Sequence, residues 1–165
     1  MTAFLRNYRP TDYQCLKDIR SDYDLQQSLM GSPEQPPQVD VDAWLKRRHS
    51  SGAFCVVDDG NGNAVGFVQI HQIHQKSKYG WLGIALHPTA QGKGIGRTAM
   101  QALHKFAKSE FNLRKLLLEV RADNSAAIKL YEALGYRTIG NLVEHYFDGI
   151  QYRDVILMER MLATS

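Results

Sequence analysis

A glycine-rich turn separates an apolar run, Trp81–Leu86, from an amphipathic segment that begins at Ile95. The turn reads Gln91-Gly92-Lys93-Gly94-Ile95-Gly96-Arg97. Glycine adopts positive φ and has no side chain to block a close approach, so successive backbone N–H groups can converge on an anion. At the N-terminus of a helix the macrodipole favours the same anion. The turn therefore predicts a phosphate-binding site between a strand and a helix, or else a simple reversal of the chain.

Two known phosphate-binding motifs can be compared with this turn. A Walker loop requires Ser or Thr directly after its Gly-Lys pair, whereas Gly92-Lys93 is followed by Gly94. The segment Gly94–Ala99 does read G-x-G-x-x-A, the fingerprint of dinucleotide-binding enzymes. That fingerprint belongs in the first βα turn of a repeated βαβ unit, but the preceding segments here are typical of antiparallel hairpins. A dinucleotide-dependent oxidoreductase is therefore an alternative that the context disfavours.

The composition indicates an ordinary globular domain. A chain of 165 residues with 44% hydrophobic and 22% charged residues can bury its own core, so we expect one domain over residues 1–165. A net charge of +3, with Lys and Arg scattered along the chain, does not favour nucleic-acid binding. Cys15 and Cys55 lack metal-ligand spacing and fit a reducing compartment. Met1–Phe4 does not read as a signal peptide and no apolar run reaches membrane-spanning length, so we expect a cytoplasmic protein without a membrane partner.

Hydrophobic periodicity and turn signals predict seven strands and four helices. The predicted strands are Phe4–Tyr8, Ala53–Val57, Ala64–Ile73, Tyr79–Leu86, Lys115–Val120, Tyr136–Phe147 and Gln151–Met158. The predicted helices are Pro10–Ser21, Val41–His49, Ile95–Glu110 and Ser125–Leu134. The proline-containing segment Asp22–Asp40 is predicted to be a loop or a broken helix. This order indicates an α+β fold, in which about four helices cover a mixed, mostly antiparallel sheet of six to seven strands.

Several sequence blocks together resemble the GNAT superfamily of N-acetyltransferases over essentially the whole chain. Gln91–Gly96 resembles its acetyl-CoA loop, Q/R-x-x-G-x-G/A, and Leu82–Pro88 resembles the strand and proline before that loop. Asn124–Tyr136 is similar to the block N-x-x-A-x-x-x-Y-x-x-x-G-F/Y, with Tyr136 in place of the commoner Phe. The tail Glu144–Val155 resembles the branch that contains ribosomal-protein, polyamine and amino-sugar acetyltransferases.

The resemblance implies a GNAT-type fold in which acetyl-CoA binds in a splayed cleft between two central parallel strands. In such a fold the backbone of the strand that precedes the loop pairs with pantetheine, and the loop amides hold the pyrophosphate. The cofactor-binding residues that it implies are Ile84, Ala85, Leu86, Gln91, Gly92, Lys93, Gly94, Ile95, Gly96, Arg97, Asn124 and Lys129. Lys93, Arg97 and Lys129 are expected either to meet the adenosine phosphate or to be solvated.

Tyr131 is the expected acid for the departing thiolate. It lies seven residues after Asn124, two helical turns along the same face, so both side chains can converge on the cofactor. A phenol can donate its proton to a thiolate or stabilise its charge. Glu119 matches the Glu of the L-E-V-R segment in ribosomal-protein alanine acetyltransferases and is the candidate base, if burial raises its pKa. A salt bridge to Arg121 or to another cation is the alternative role for Glu119, and solvent can replace a dedicated base.

We expect direct attack of a primary amine on acetyl-CoA in a ternary complex, because Cys15 and Cys55 have no histidine partner that the sequence can assign. Candidate acceptor-site residues are Asp22, Asp24, His71 and His145. His74 and Glu34 are further candidates near the acceptor, and no metal site is expected. A small soluble amine, such as an amino sugar or a polyamine-like molecule, is favoured as acceptor, and a protein N-terminus is the alternative. A non-catalytic acyl-CoA sensor and a homodimer are also compatible with the sequence.

Overall fold

The computed structural model describes residues 4–31 and 40–162. Its strands are β1 (Phe4–Arg6), β2 (Gly52–Asp58), β3 (Ala64–His74), β4 (Tyr79–Leu86), β5 (Lys115–Arg121), β6 (Arg137–Phe147) and β7 (Tyr152–Met161). Its α-helices are α1 (Tyr13–Ser21), α2 (Tyr23–Ser28), α3 (Val41–Ser51), α4 (Ile95–Phe111) and α5 (Ser125–Ala133). Short 3₁₀ turns at Pro10–Asp12 and Pro88–Ala90 precede α1 and α4. The seven predicted strands are present, and the part of the proline-containing segment that the structure describes adds a fifth helix, α2.

The strands form one sheet in the order β1-β2-β3-β4-β5-β7-β6. Among the described strands, β4 and β5 are the one parallel pair, and every other neighbouring pair is antiparallel. The parallel pairing runs from Tyr79–Trp81 to Lys115–Leu117 and then stops, although both strands continue. The two strands therefore diverge over the second half of β4, which confirms the α+β fold with a splayed pair of central parallel strands.

Two apolar layers cover the sheet, because successive strand residues face opposite sides. On one side, α4 packs on residues such as Val68, Leu82 and Leu116. On the other side, α1 and α3 pack on Phe67 and Ala85 with the side chains of Leu16, Ile19 and Trp44. In β3 the neighbouring residues Phe67 and Val68 belong to different layers, as strand alternation requires.

The end of β1 is held by an arginine between two buried carboxylates. The Arg6 guanidinium donates from Nη1 and Nη2 to the two oxygens of Asp12 (2.7 and 2.9 Å) and from Nε to Asp58 Oδ2 (2.6 Å). Asp12 and Asp58 are 2% and 5% exposed. Burial by itself raises the pKa of each carboxyl group, but hydrogen bonds from Arg6 and from nearby backbone amides outweigh it, so both pKa values lie below the ordinary value.

This cluster predicts an acid-sensitive fold. Because the folded pKa of both carboxyl groups is depressed, their contribution is complete above the unfolded pKa of about 4 and is lost as the pH falls through the folded pKa. We expect Asp12→Asn to lower the free energy of unfolding by about 2 kcal/mol at pH 7. Between pH 5 and pH 3 the native protein should lose more stability than this variant, as urea unfolding measures. Asp42→Asn, at an exposed position on α3, serves as the control. Parallel pH curves for the native and Asp12→Asn proteins would contradict the assignment.

Candidate functional site

A cleft of about 1070 Å³ opens where β4 and β5 diverge. Its lining includes most of the residues that the sequence predicts to be functional. The predicted residues in the lining are Asp24, His71, Ile84, Ala85, Leu86, Gln91, Gly92, Gly94, Gly96, Arg97, Glu119, Asn124 and Tyr131. These residues lie on both faces of the sheet, so side chains from either face can contact a ligand in the gap between β4 and β5. Beyond Trp81, the edge of β4 that faces β5 has no strand partner and can receive an extended ligand.

The glycine-rich turn forms one end of this cleft, at the N-terminus of α4. Gly92 and Gly94 have φ of +71° and +78°, and a Cβ at either position would meet no atom within 4 Å. Gly94 is the N-cap of α4, so no side chain caps the helix, and its first turn contains no acidic residue. The first N–H groups of a helix have no partner within the helix. In a 17-residue helix these uncapped amides and the macrodipole favour a bound anion, and we call this end of the helix the candidate anion site.

Positive side chains lie beside this anion site. Arg97 lines the cleft, and Lys93 is exposed just outside it. Neither side chain makes an ion pair with any residue in the described ranges, so both charges are available to a bound anion. Asn124, on the opposite wall, accepts a hydrogen bond from Ala127 N (3.2 Å) and so caps α5, as the sequence predicts. Gly135 follows α5 with φ +83°, also as predicted.

Tyr131 reaches the cleft from α5 and is 8% exposed. Burial raises the pKa of its phenol to about 12, so the hydroxyl is protonated at neutral pH. The hydroxyl makes no hydrogen bond to any residue within 4–31 or 40–162. A protonated, unpartnered hydroxyl that a buried side chain presents at a cleft wall can donate a hydrogen bond or a proton to a ligand.

A buried polar chain supports the Tyr131 ring from behind. The ring packs edge-on against Tyr136, with centroids 5.8 Å apart, and Tyr136 Oη lies 2.8 Å from His104 Nε2. Arg160 Nη1 lies 2.8 Å from His104 Nδ1, and because a guanidinium only donates, Nδ1 accepts and Nε2 carries the proton. Burial and then the Arg160 charge lower the pKa of His104 to about 4, in agreement with a neutral ring. Tyr136, where phenylalanine is commoner, thus has a partner for its hydroxyl.

Glu119 differs from its predicted state. Strand alternation places it in the cleft, but its side chain is exposed rather than buried. The alternative salt bridge to Arg121 is also wrong, because Arg121 pairs with Asp123 through Nη2 and Oδ2 (2.5 Å). Among the described residues Glu119 has no hydrogen-bond or ion-pair partner. Its carboxylate is therefore a solvated negative charge on the wall of the cleft.

The outer wall of the cleft is the segment from Asp24 to Met30, which the sequence predicts to be part of a loop or a broken helix. Gln27 fixes this wall to the sheet: its side-chain oxygen accepts from the Tyr146 hydroxyl (2.7 Å), and its backbone oxygen accepts from Arg121 Nη1 (3.2 Å). Gln69 and Trp81 also line the cleft and were not predicted. Alternation along β3, which puts Gln69 on the same face as the candidate His71, is the signal that could have found Gln69.

Other predicted residues lie elsewhere. Ile95 is buried in the core on the α4 side, so only its backbone can face the anion site. Lys129 is exposed outside the lining, and Asp22 caps α2 by accepting from Leu25 N (2.8 Å). His145 is exposed on β6, outside the cleft lining. The His74 ring stacks on the ring of Tyr79. Glu34 lies outside the residues that the structure describes.

His71 is half-buried in the cleft, and burial followed by the Arg48 charge lowers its pKa, so the imidazole is neutral at pH 7. Cys15 and Cys55 lie outside the lining, and burial raises the pKa of both thiols, that of Cys15 to about 11. These thiols are therefore not thiolate nucleophiles at neutral pH. Within residues 4–31 and 40–162 no cluster of three or more His, Cys, Asp or Glu could hold a metal ion. The helices in these ranges are all too short or too polar to cross a bilayer.

Comparisons with known proteins match this arrangement. The model of the Acetyltransferase (GNAT) family matches residues 16–136. Spermidine N(1)-acetyltransferase from Vibrio cholerae is 34% identical over 100 residues, which cover 61% of this chain and 58% of that protein. That alignment thus spans less than two thirds of the relative's length. An N-alpha-acetyltransferase from Sulfurisphaera tokodaii is 36% identical over 155 residues, which cover 88% of this chain and 86% of the relative.

A solved structure agrees over almost the whole chain. The crystal structure of spermidine N-acetyltransferase from Vibrio cholerae in complex with CoA and spermine superposes with a TM-score of 0.89. The superposition covers 98% of this chain and 96% of that one, at 25% sequence identity. At that coverage the similarity extends over both layers of helices and the whole sheet, including the part where β4 and β5 diverge.

Proposed function

Because the chain belongs to the acetyltransferase (GNAT) family, we propose that it transfers the acetyl group of acetyl-CoA to a primary amine of a small polyamine-like molecule. One observation supports this most directly: an uncapped helix N-terminus and an unpaired strand edge lead along one cleft to the buried Tyr131 hydroxyl. The first two features suit a diphosphate on an extended arm, and the third suits the departing thiolate. The family membership fixes the class of reaction that these features serve.

In the proposed complex the diphosphate binds to the amides that follow Gly94, with Arg97 and Lys93 as its cationic neighbours. Pantetheine extends along Leu86 and Ile84 in the gap between β4 and β5, and pairs with the free edge of β4. Asn124 faces the cofactor from the other wall. This arrangement uses backbone groups for most contacts, which explains why the loop is rich in glycine.

The amine approaches from the side of the sheet that carries α1, α2 and α3, and Tyr131 acts from the opposite side. The neutral nitrogen attacks the thioester carbon, a C–N bond forms, and the C–S bond breaks when the tetrahedral intermediate collapses. The thiolate takes the Tyr131 proton, and the proton lost by the amine passes to water, which the exposed Glu119 carboxylate orders. Solvent then returns a proton to Tyr131, so the cycle closes without an acyl-enzyme.

Charge favours a polyamine as acceptor. Asp24 and Glu119 both line the cleft, and neither carboxylate is ion-paired within the described ranges. Two uncompensated negative charges attract an amine that carries further cationic groups along its chain. The spermidine acetyltransferases among the relatives point to the same class of acceptor. A protein N-terminus is the second candidate, because the N-alpha-acetyltransferase from Sulfurisphaera tokodaii aligns over 88% of the chain.

The test is a turnover assay in which purified protein, acetyl-CoA and a panel of amines are combined and released thiol is measured. The panel contains spermidine, spermine, an amino sugar and a peptide with a free N-terminus. We expect turnover with the polyamines and CoA binding in isothermal titration calorimetry. Turnover restricted to the peptide would replace the polyamine by the second candidate. CoA binding with no turnover on any amine would leave a non-catalytic sensor, and an absence of CoA binding would refute the proposal.

The two free carboxylates give a more specific prediction. In the double variant Asp24→Asn/Glu119→Gln we expect the KM for spermidine to rise about three- to tenfold, because an exposed charge contributes about 0.3–1 kcal/mol. The KM for a monoamine should change less than about twofold, since a monoamine has no second cationic group for the carboxylates to attract. Initial rates at low salt and at about 0.5 M NaCl measure both effects, and high salt should reduce the difference.

The matched control is Asp42→Asn/Glu110→Gln, which removes two exposed carboxylates outside the cleft lining. It should leave the KM of both amines unchanged. If the KM values for spermidine and for the monoamine rose equally in the Asp24→Asn/Glu119→Gln variant, the carboxylates would not interact with the additional charges of the polyamine.

A further inference from the structure

The side chain of Gln69, on β3, lies across β4 at the position of a glycine, Gly83. Gln69 pairs with Gly83 in the antiparallel ladder, and both residues line the cleft. A Cβ placed on Gly83 would lie 2.8 Å from Gln69 Nε2, 3.2 Å from its Cγ and 3.4 Å from its Cδ. The Gln69 side chain therefore lies directly over Gly83, in space that any other residue would occupy.

Backbone conformation does not explain this glycine. Gly83 is not among the residues with positive φ, so its backbone suits any amino acid. A side chain at position 83 would instead have to displace the end of the Gln69 side chain. The glycine thus serves the placement of the Gln69 carboxamide, which could not cross β4 over a larger residue.

The crossing point lies at the reaction centre of the proposed cleft. Gly83 follows Trp81, the last residue of β4 that pairs with β5, by two positions. The anion site lies beyond the other end of the free edge, at Gly94. A pantetheine arm that runs from that site past Leu86 and Ile84 brings its thioester toward Gly83. This step rests on the proposed function.

The carboxamide has no hydrogen-bond partner in the described part of the chain, although the side chain is half-buried. A polar group in such a place loses free energy unless a ligand binds it. Of the two polar atoms, Nε2 is the one nearest to the Cβ position of Gly83, and Oε1 lies farther from that position. Because no hydrogen bond within the described residues fixes the carboxamide, rotation about its Cγ–Cδ bond can present Oε1 to the cleft as an acceptor.

A neutral acceptor suits the attacking nitrogen. A neutral primary amine has two N–H groups and one lone pair, and attack requires that the lone pair point at the thioester carbon. A carboxylate in the same place would favour the ammonium form, which has no lone pair, whereas a carboxamide does not. We propose that the Gln69 carboxamide accepts a hydrogen bond from the attacking amine and orients it, and that Gly83 is there to leave room for this contact.

The first test compares Gln69→Leu with the native enzyme, using acetyl-CoA and the best amine of the panel. We expect kcat/KM for the amine to fall about tenfold, as for one lost hydrogen bond. The KM for acetyl-CoA should be unchanged, because the proposed cofactor contacts are made by β4 and the start of α4. Gln101→Leu, at an exposed glutamine on α4, is the matched control. A kcat/KM for the amine equal to that of the Gln101→Leu control, or a loss confined to the KM for acetyl-CoA, would overturn the proposal.

A second test acts on Gly83. In Gly83→Ala the new methyl group must displace the flexible end of Gln69, so we expect a loss of about three- to fivefold in kcat/KM for the amine. The same change in a Gln69→Leu background should have no further effect, because the contact is already gone. Additive losses would mean that Gly83 acts independently of Gln69.

A third variant, Gln69→Glu, changes the pH dependence of the reaction, which a change in packing alone would not alter. Gln69→Glu should move the rising limb of the kcat profile about one pH unit higher, because the carboxylate stabilises the ammonium form of the bound amine. The other titratable groups of the lining on this side of the cleft, Asp24, His71, Glu119, Arg121 and Asp123, are the same in both enzymes. A native enzyme that turns over amines while all three Gln69 and Gly83 variants behave normally would refute this inference alone. A native enzyme without turnover would instead refute the proposed function.

Discussion

The Tyr131→Phe protein is expected to acetylate the amine about 100- to 1000-fold more slowly than the native protein, with CoA affinity changed less than about twofold. The phenol is the protonated group that reaches the gap from the α5 side, and nothing in the described chain shares its proton. Without it the thiolate must leave unprotonated into a buried site, where an uncompensated charge is costly. Stopped-flow or steady-state kinetics give the rate, and calorimetry with CoA gives the affinity.

The Tyr136→Phe variant, at the neighbouring ring, distinguishes a catalytic effect of losing a hydroxyl from an effect on packing and stability. It removes the same hydroxyl from the ring in contact with Tyr131 and leaves the His104 Nε2–H without its partner. We expect a loss of about 1–2 kcal/mol in the free energy of unfolding, with a rate within a few-fold of the native one. Since burial raises the pKa of Tyr131 to about 12, the acid is lost only as the pH rises toward 12, so kcat should show no descending limb from Tyr131 below about pH 10. Equal rates for Tyr131→Phe and the native protein would remove Tyr131 from the mechanism.

Local sequence signals are sufficient to predict the structure of a segment when that structure depends only on residues within the segment. The cap at Asn124, the positive φ of Gly135 and the glycine turn before α4 all follow from residues within a few positions of each other. The predicted boundaries of β4 are correct to the residue for the same reason, because turn signals lie directly on either side of the strand.

The sequence could not predict features that depend on what covers a face of the sheet. Strand alternation puts Glu119 and Leu118 on opposite faces of the sheet. It does not reveal that β4 has left β5 at that level, so that the carboxylate faces an open cleft rather than a packed core. His145 lies within an irregularity between Leu142 and Tyr146, where Glu144 has φ +50° and donates its N–H to Asp154. No turn residue marks this bulge. The placement of Gln69 over Gly83 likewise depends on strand register, which relates residues far apart in the chain.

Gly94→Asp is expected to weaken CoA binding about 100-fold, equivalent to about 2.7 kcal/mol. Asp tolerates the left-handed conformation better than most residues, so the φ of +78° costs only about 1 kcal/mol and the protein should remain folded. Its carboxylate would lie beside the uncapped amides at the start of α4, where it competes for their N–H groups and repels the diphosphate. Calorimetry with CoA measures the loss. S-acetylpantetheine lacks the diphosphate, so the Gly94→Asp protein should use it as a substrate nearly as well as the native protein does.

Gly62→Asp provides the control, because Gly62 also has a positive φ (+92°), and a Cβ at this position would likewise meet no atom within 4 Å. Gly62 lies between β2 and β3, outside the cleft lining. The two variants therefore carry the same added charge and a similar backbone cost. If backbone strain or net charge were the cause, both would lose CoA affinity equally, and the anion site at the start of α4 would be refuted. If the amides after Gly94 hold the diphosphate, only Gly94→Asp loses affinity, and the loss disappears when the ligand has no phosphate.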